Sequence, residues 1–364
     1  MSRTLLGYLA REIYGATLMV LVSFLGLFAF FDFLNELENI GKDGYQAHHA
    51  LIYVAMIMPG RVYELLPVAV LIGSLYALTT LARHSEITVM RASGLSIVTT
   101  LGMLALIGGL PVALTFIFGE YIAPPAESAA QQWRLTATNS MISQQLRSGL
   151  WIKDGPHIIN VRTLRPDRRM EQVRIHTFDD EGVLRTIADA AHGEYVAGDG
   201  EQRAGHWRLT GVAQVDFLDG RTLLAAPPEL IWPSTLTPEV LSVLMVVPER
   251  MSVSTLWAYI RHLRDNQQNA ERYEIALWKK LIYPFATLVM LALALPFALT
   301  HERSGGVSVK VFLGVMLGVA FYLLNGLFAN LGVIHSWPPP MAALTPSLLF
   351  LVSAAAMLCW VERR

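Results

Sequence analysis

The chain reads as a polytopic α-helical membrane protein: six transmembrane helices, with a soluble β-rich domain inserted between the third and the fourth. Three observations predict this. Apolar residues fill 53% of the 364 positions and mean hydropathy is +0.43, where a soluble domain is about 45–50% apolar. The apolar residues gather in six long runs, of the length that crosses a bilayer. Between the third and fourth runs lies a long polar stretch with alternating patterns.

The runs fall at about 14–34, 60–82, 97–119, 281–299, 310–334 and 344–361. They are continuous rather than alternating, which excludes a membrane β-barrel and leaves helices as the way to satisfy the backbone in lipid. The first run is too long for a signal peptide's apolar core and shows no small-residue cleavage pattern after Phe30-Phe31-Asp32-Phe33-Leu34, so it reads as a retained helix. Apolar residues continue from the second run back to Leu51, and Pro59 and Pro67 predict a kink or interruption there.

Arg3, Arg11, Arg83, Arg91, Arg303, Lys310, Arg363 and Arg364 fall on one side of the membrane, against Lys42 alone in the short loops opposite. Positive residues concentrate in cytoplasmic loops. Both termini and the loops 83–96 and 300–309 are therefore expected in the cytoplasm, and 120–280 outside it. Within that stretch, about 140–233 predicts an antiparallel sandwich or roll. Trp151 to Gly155 leads into His157 to Val161 through a turn, Val173, Ile175 and Thr177 alternate with Arg174, His176 and Phe178, and Val212 to Leu218 repeats the pattern. The flanks 121–138 and 252–279 mix polar and apolar residues at helical period, predicting helical stalks. The domains are thus 1–119, 120–280 and 281–364.

No phosphate-cradling loop, zinc-protease motif or Ser/His/Asp grouping stands out, so the sequence gives no positive evidence for an enzyme or a cofactor. His48, His49 and His335 read as isolated loop residues. Cys359, the one cysteine, forms no intrachain disulfide and matches no metal spacing. The net charge of −1 points away from a nucleic-acid partner.

Three features carry more. The loop Arg83 to Gly94 predicts a short amphipathic helix, capped by Ser85, with Ile87, Met90 and Val89 on its apolar side and Gly94 at its end. Such a helix either lies on membrane lipids or docks into a partner, Glu86 and Arg91 then setting register. Arg61, Arg134, Lys279 and Lys280 stand near the outer membrane surface. They either snorkel to headgroups or ring a site for an anionic amphiphile, and Arg61 is spaced to pair with Glu64. Finally, Gly314, Gly318 and Gly326 allow close helix approach in the fifth helix, for a fixed interface or for a gate.

The ten residues Ser85 to Gly94, joining two spanning helices, resemble the coupling-helix segment of the LptF/LptG permeases of lipopolysaccharide export. The resemblance covers essentially the whole chain. Gly149 to Gly155, Leu236 to Glu239, and Arg272-Tyr273 with Trp278, Lys280 and Pro284 resemble the LptG side of the family. It implies a periplasmic β-jellyroll and an inner-membrane permease subunit that hydrolyses nothing itself. It also implies an LptF-like second permease, an LptB-like ATPase dimer, an LptC-like single-span protein and an LptA-like periplasmic bridge. Lipopolysaccharide would be drawn from the outer leaflet. Ser85, Glu86, Val89, Met90 and Arg91 would then couple to the ATPase, and Arg61, Arg134 and Lys280 would contact lipopolysaccharide at the rim. The outer end of the first helix departs from the family: Asn35 to Asn39 is acidic, so either that rim contact is absent or Lys42 replaces it. Lipoprotein-release and efflux permeases share coupling helices but typically have four spans, with the domain after the first. A non-transporting membrane scaffold or receptor is the other alternative.

Overall fold

A computed structural model describes residues 3–41, 44–137, 149–165, 169–197, 205–218, 221–234, 247–299 and 307–363. Six helical segments in it are long and apolar enough to cross a membrane. They are built on α1 (Arg3–Glu36), α2 (Ala47–Arg83), α4 (Ile97–Ile117), α7 with α8 (Glu271–Ile282 and Ala286–Leu299), α9 (Val307–Ile334) and α10 (Pro339–Glu362). A short α3 (Glu86–Ala92) lies between α2 and α4.

Several helices outrun the sequence prediction. The 37 residues of α2 span roughly 55 Å at 1.5 Å each, well beyond a hydrocarbon core of about 30 Å. Pro59 and Pro67 sit inside this helix without ending it. His48 and His49 are not loop residues either: they belong to its first turn, where His49 stacks on Tyr45. Pro284 does interrupt, in a 3₁₀ turn between α7 and α8. Helix α4 continues through a π-helical turn, Phe118–Ile122, into α5 (Ala123–Ala137), the expected first stalk.

Helices α2 and α8 form the centre of the bundle. Leu71, Leu75 and Leu78 pack with Met290, Leu291 and Leu295, and with Met103, Leu104, Phe321 and Phe350 from the surrounding helices. Helices α1 and α9 lie against α2 with few of their residues buried. The glycines of α9 have two fates. A Cβ on Gly314 or Gly318 would come within 2.9 Å of Leu75 or 2.5 Å of Val68, so both serve a close contact with α2; around Gly326 there is open space.

Among the described residues the inserted domain is one antiparallel seven-stranded sheet. Its strands are β1 (Leu150–Asp154), β2 (His157–Leu164), β3 (Met170–Phe178), β4 (Leu184–Val196), β5 (His206–Leu218), β6 (Arg221–Ala225) and β7 (Glu229–Pro233). Neighbours in sequence pair up to β6, and β7 returns to pair with β5 beside β6. Between the stretches read as alternating, the alternation is interrupted at one level. Buried residues are three apart at Met170/Val173, Ala190/Gly193 and Leu209/Val212, and those strands stay in register on both sides of the break. Gln172 and Gly211 adopt φ of +53° and +66° there. An extra residue in a strand bends it, and three aligned ones crease the sheet.

Strands alone do not close the apolar face of this domain. Helix α6 (Val253–Asp265), part of the predicted second stalk, contributes Leu256, Tyr259, Ile260 and Leu263 to a core with Trp207, Leu209 and Trp232. Ala276 and Leu277 of α7 join the same core. The membrane bundle and the β domain therefore share a helix.

Two histidines give this domain a pH response. Burial holds His262 and His157 below the ordinary value of 6.5, outweighing the opposing pull of Asp154 on each. A histidine that resists protonation when folded contributes its stability fully above the unfolded value. That contribution is lost as pH falls through the unfolded value towards the lower, folded one. The thermal midpoint of the domain is expected to be lower at pH 5.5 than at pH 7.5. His262→Gln should flatten that slope; an unchanged slope counts against this assignment.

Candidate functional site

Residues of interest gather at two levels, around α3 and at the far ends of α2 and α4 where the chain runs on into the β domain. Helix α3 is set by its C-terminus. Gly94 adopts φ +94°, its N–H donates to the Arg91 carbonyl, and the Leu95 N–H donates to the Met90 carbonyl. This pair of bonds is the glycine-terminated helix end that the sequence predicts. The start differs from expectation. Ser85 occupies the capping position but at φ 59°, and its side chain makes no capping bond. Glu86 instead accepts a hydrogen bond from the Tyr8 hydroxyl of α1 at 2.9 Å.

The apolar side of α3 divides. Ile87 packs into the bundle core with Leu95 and Ile97, and Met90 is half-buried. Val89 points away at 66% exposure, beside exposed Arg91. Ile87 thus anchors the helix, and Val89 with Arg91 forms its outward face.

At the other level Arg61 and Arg134 have carboxylate partners and Lys280 a carbonyl one. Arg61 on α2 makes a two-pronged pair with Asp32 of α1, at 2.7 and 2.9 Å, and reaches Glu64 at 3.0 Å. Arg134 on α5 meets Glu36 of α1 at 3.4 Å and lies over the Tyr53 ring. Glu36 is buried and also accepts from Asn39 and Tyr45. Burial, then the Glu36 charge and hydrogen bond, push the Tyr45 hydroxyl up to about 12, so it remains a donor. Both arginines therefore tie to the same end of α1. Lys280 behaves differently: it is 6% exposed, donates to the Met251 carbonyl and lies over the Tyr63 ring. Lys42, Leu236 to Glu239 and Arg303 lie outside the described residues.

Lys279 and Lys280 border a cavity of about 190 Å³ with Tyr63, Glu64, Tyr283 and Tyr322. That is below the roughly 300–1,000 Å³ of a drug-sized ligand site. The partners Asp32 and Glu36, and the contacts of Arg250 with Glu127 and of the Val253 N–H with Glu120, were not expected from the sequence. Asp32 was visible as a charge at the end of an apolar run, a position that is rarely idle. The others become legible only through contacts distant in sequence.

The model of the family "Lipopolysaccharide export system permease LptF/LptG" matches residues 7–360. The chain belongs to this family. Its relatives include the lipopolysaccharide export system permease protein LptG of Haemophilus influenzae, 30% identical over 365 residues and covering 100% of this chain and 99% of that protein. The protein of the same name from Escherichia coli is 30% identical over 347 residues, 94% of each chain. This LptF/LptG permease is a multi-pass membrane protein of the lipopolysaccharide export system, a transporter permease rather than an enzyme.

Proposed function

We propose that the permease is the LptG-type half of a transporter that extracts lipopolysaccharide from the outer leaflet of the inner membrane. Its termini and α3 face the cytoplasm and its β domain the periplasm. One observation carries the reading: a short helix, anchored from within by Ile87, presents Val89 and Arg91 outward between two spanning helices. That geometry suits a groove on a separate, LptB-like ATPase, which supplies the hydrolysis this chain has no motif for.

The lipid site needs a second permease. A 190 Å³ cavity is too small for a molecule with several acyl chains. Exposed apolar side chains on α1 (Leu18, Met19, Phe30) and on α9 (Phe312, Met316, Leu323) supply walls for a cavity shared with an LptF-like partner. Arg61 and Arg134 stand at the outer end of that wall as phosphate ligands. An LptC-like single-span protein and an LptA-like bridge complete the path. Gentle copurification with mass spectrometry of proteins and lipids tests the assembly, and reporter fusions in the Asp180–Gly182 turn test the side of the membrane. An ATPase, a second permease and lipopolysaccharide are the expected companions. Isolation of a lone chain, or a cytoplasmic turn, would refute the reading.

A further inference from the structure

Between the β domain and the bundle, residues 248–253 are gripped from both sides. Arg250 donates to Glu127 of α5 at 2.6 Å, and Glu127 is only 4% exposed. The Met251 carbonyl accepts from Lys280 of α7. The Val253 N–H, first in α6, donates to Glu120 at 2.8 Å. Three neighbouring positions are thus tied to two different membrane-spanning segments. The Met251 side chain meanwhile is buried in the core of the β domain.

Glu120 belongs to the π-helical turn that links α4 to α5. Such turns are uncommon and concentrate at functional positions. Beside it, a Cβ on Gly119 would lie 2.6 Å from the Tyr63 ring, the ring that Lys280 covers. Sliding or rotation of α2, α4 or α7 would therefore pull on these ties. Burying the Glu127 carboxylate and the Lys280 ammonium is costly unless each is satisfied, and snorkelling to the membrane surface would not require it.

We propose that Glu120, Glu127, Arg250 and Lys280 are positioning residues: they form a joint through which rearrangement of the transmembrane helices moves the β domain. On this view Lys280 is a strut rather than a lipid ligand. The inference rests on the transport reading above, since it needs a nucleotide-driven rearrangement to transmit.

The test uses the intact copurified complex in nanodiscs, carrying Cys359→Ser. Spin labels at exposed Leu224→Cys on β6 and exposed Leu51→Cys near the start of α2 report the distance between domain and bundle, without nucleotide and with a trapped ATP analogue. The parent complex is expected to show a nucleotide-dependent distance shift. Glu120→Gln with Glu127→Gln should abolish it and cut release of fluorescent lipopolysaccharide at least tenfold, while ATP hydrolysis stays within about twofold. Val253→Pro removes the N–H donated to Glu120, and Val253→Ala, which keeps that N–H, controls for the side chain both take from the edge of the β core; proline suits the first helical position, so α6 should still form and the shift should shrink with proline alone. The proline variant decides the matter if the double glutamine variant fails to assemble. A full shift with full release in either of these two, once assembled, overturns the joint, and so does a parent complex with no shift. Loss of lipopolysaccharide crosslinking in Lys280→Met would return that residue to the lipid site. A complex that contains no ATPase would instead refute the transport reading itself.

Discussion

Val89→Asp is expected to leave the permease folded and strip it of its ATPase. Val89 is 66% exposed, so the substitution costs the isolated chain little. In an apolar groove the new carboxylate loses its water without gaining a partner, a penalty of several kcal/mol, and each 1.4 kcal/mol is about tenfold in affinity. ATPase recovered per permease should fall at least tenfold, with hydrolysis falling alongside it. Ile87→Asp makes the contrast: Ile87 lies against the bundle core, and its loss should reduce the yield of the permease itself. Glu86→Ala separates two further roles. Glu86 is already bonded to Tyr8, so Tyr8→Phe should reproduce the defect if Glu86 only steadies α3. If Glu86 meets the ATPase directly, Tyr8→Phe should be silent. Normal ATPase recovery with Val89→Asp would remove α3 from the coupling assignment.

The membrane part was legible because hydrocarbon imposes one rule on every spanning residue. Long continuous apolar runs such as those around Leu71 and Met290 have one solution in lipid, a helix. The strands were legible by alternation, and Gly94 by its left-handed backbone. What stayed hidden depends on contacts across the fold. The sequence traces the apolar run of α2 back to Leu51, but it does not show that Pro59 and Pro67 leave the helix unbroken or that Tyr53, Val54 and Ile57 pack against Ala130 of α5. The aligned extra residues at Gln172 and Gly211 follow from pairing between strands. Helix α6 reads locally as a stalk, yet its apolar stripe belongs to the β core. The basic residues were found by type and place, but charge counting could not reveal that Asp32 and Glu36 face them from α1.

Those carboxylates yield a prediction in which the two halves of an ion pair act in opposite directions. A lipid phosphate can accept the same two-pronged hydrogen bonds from arginine that Asp32 accepts now. Under the function proposed above, binding at this level would be an exchange, phosphate for carboxylate, with α1 released as the lipid is captured. The side chains of Arg61 and Arg134 keep 18% and 33% exposure while Asp32 and Glu36 keep only 11% and 7%, so an arginine that leaves its carboxylate needs another anion in its place. Arg61→Glu with Arg134→Glu should lower photo-crosslinking of lipopolysaccharide at least tenfold. Asp32→Asn should raise it severalfold, because the arginine then has one competitor fewer. Arginines that merely fasten α1 predict something else: removing either partner loosens the same helix, so both changes would reduce crosslinking together. The sign of the Asp32→Asn effect, measured on complexes of equal subunit content, separates an exchangeable phosphate ligand from a fixed structural tie.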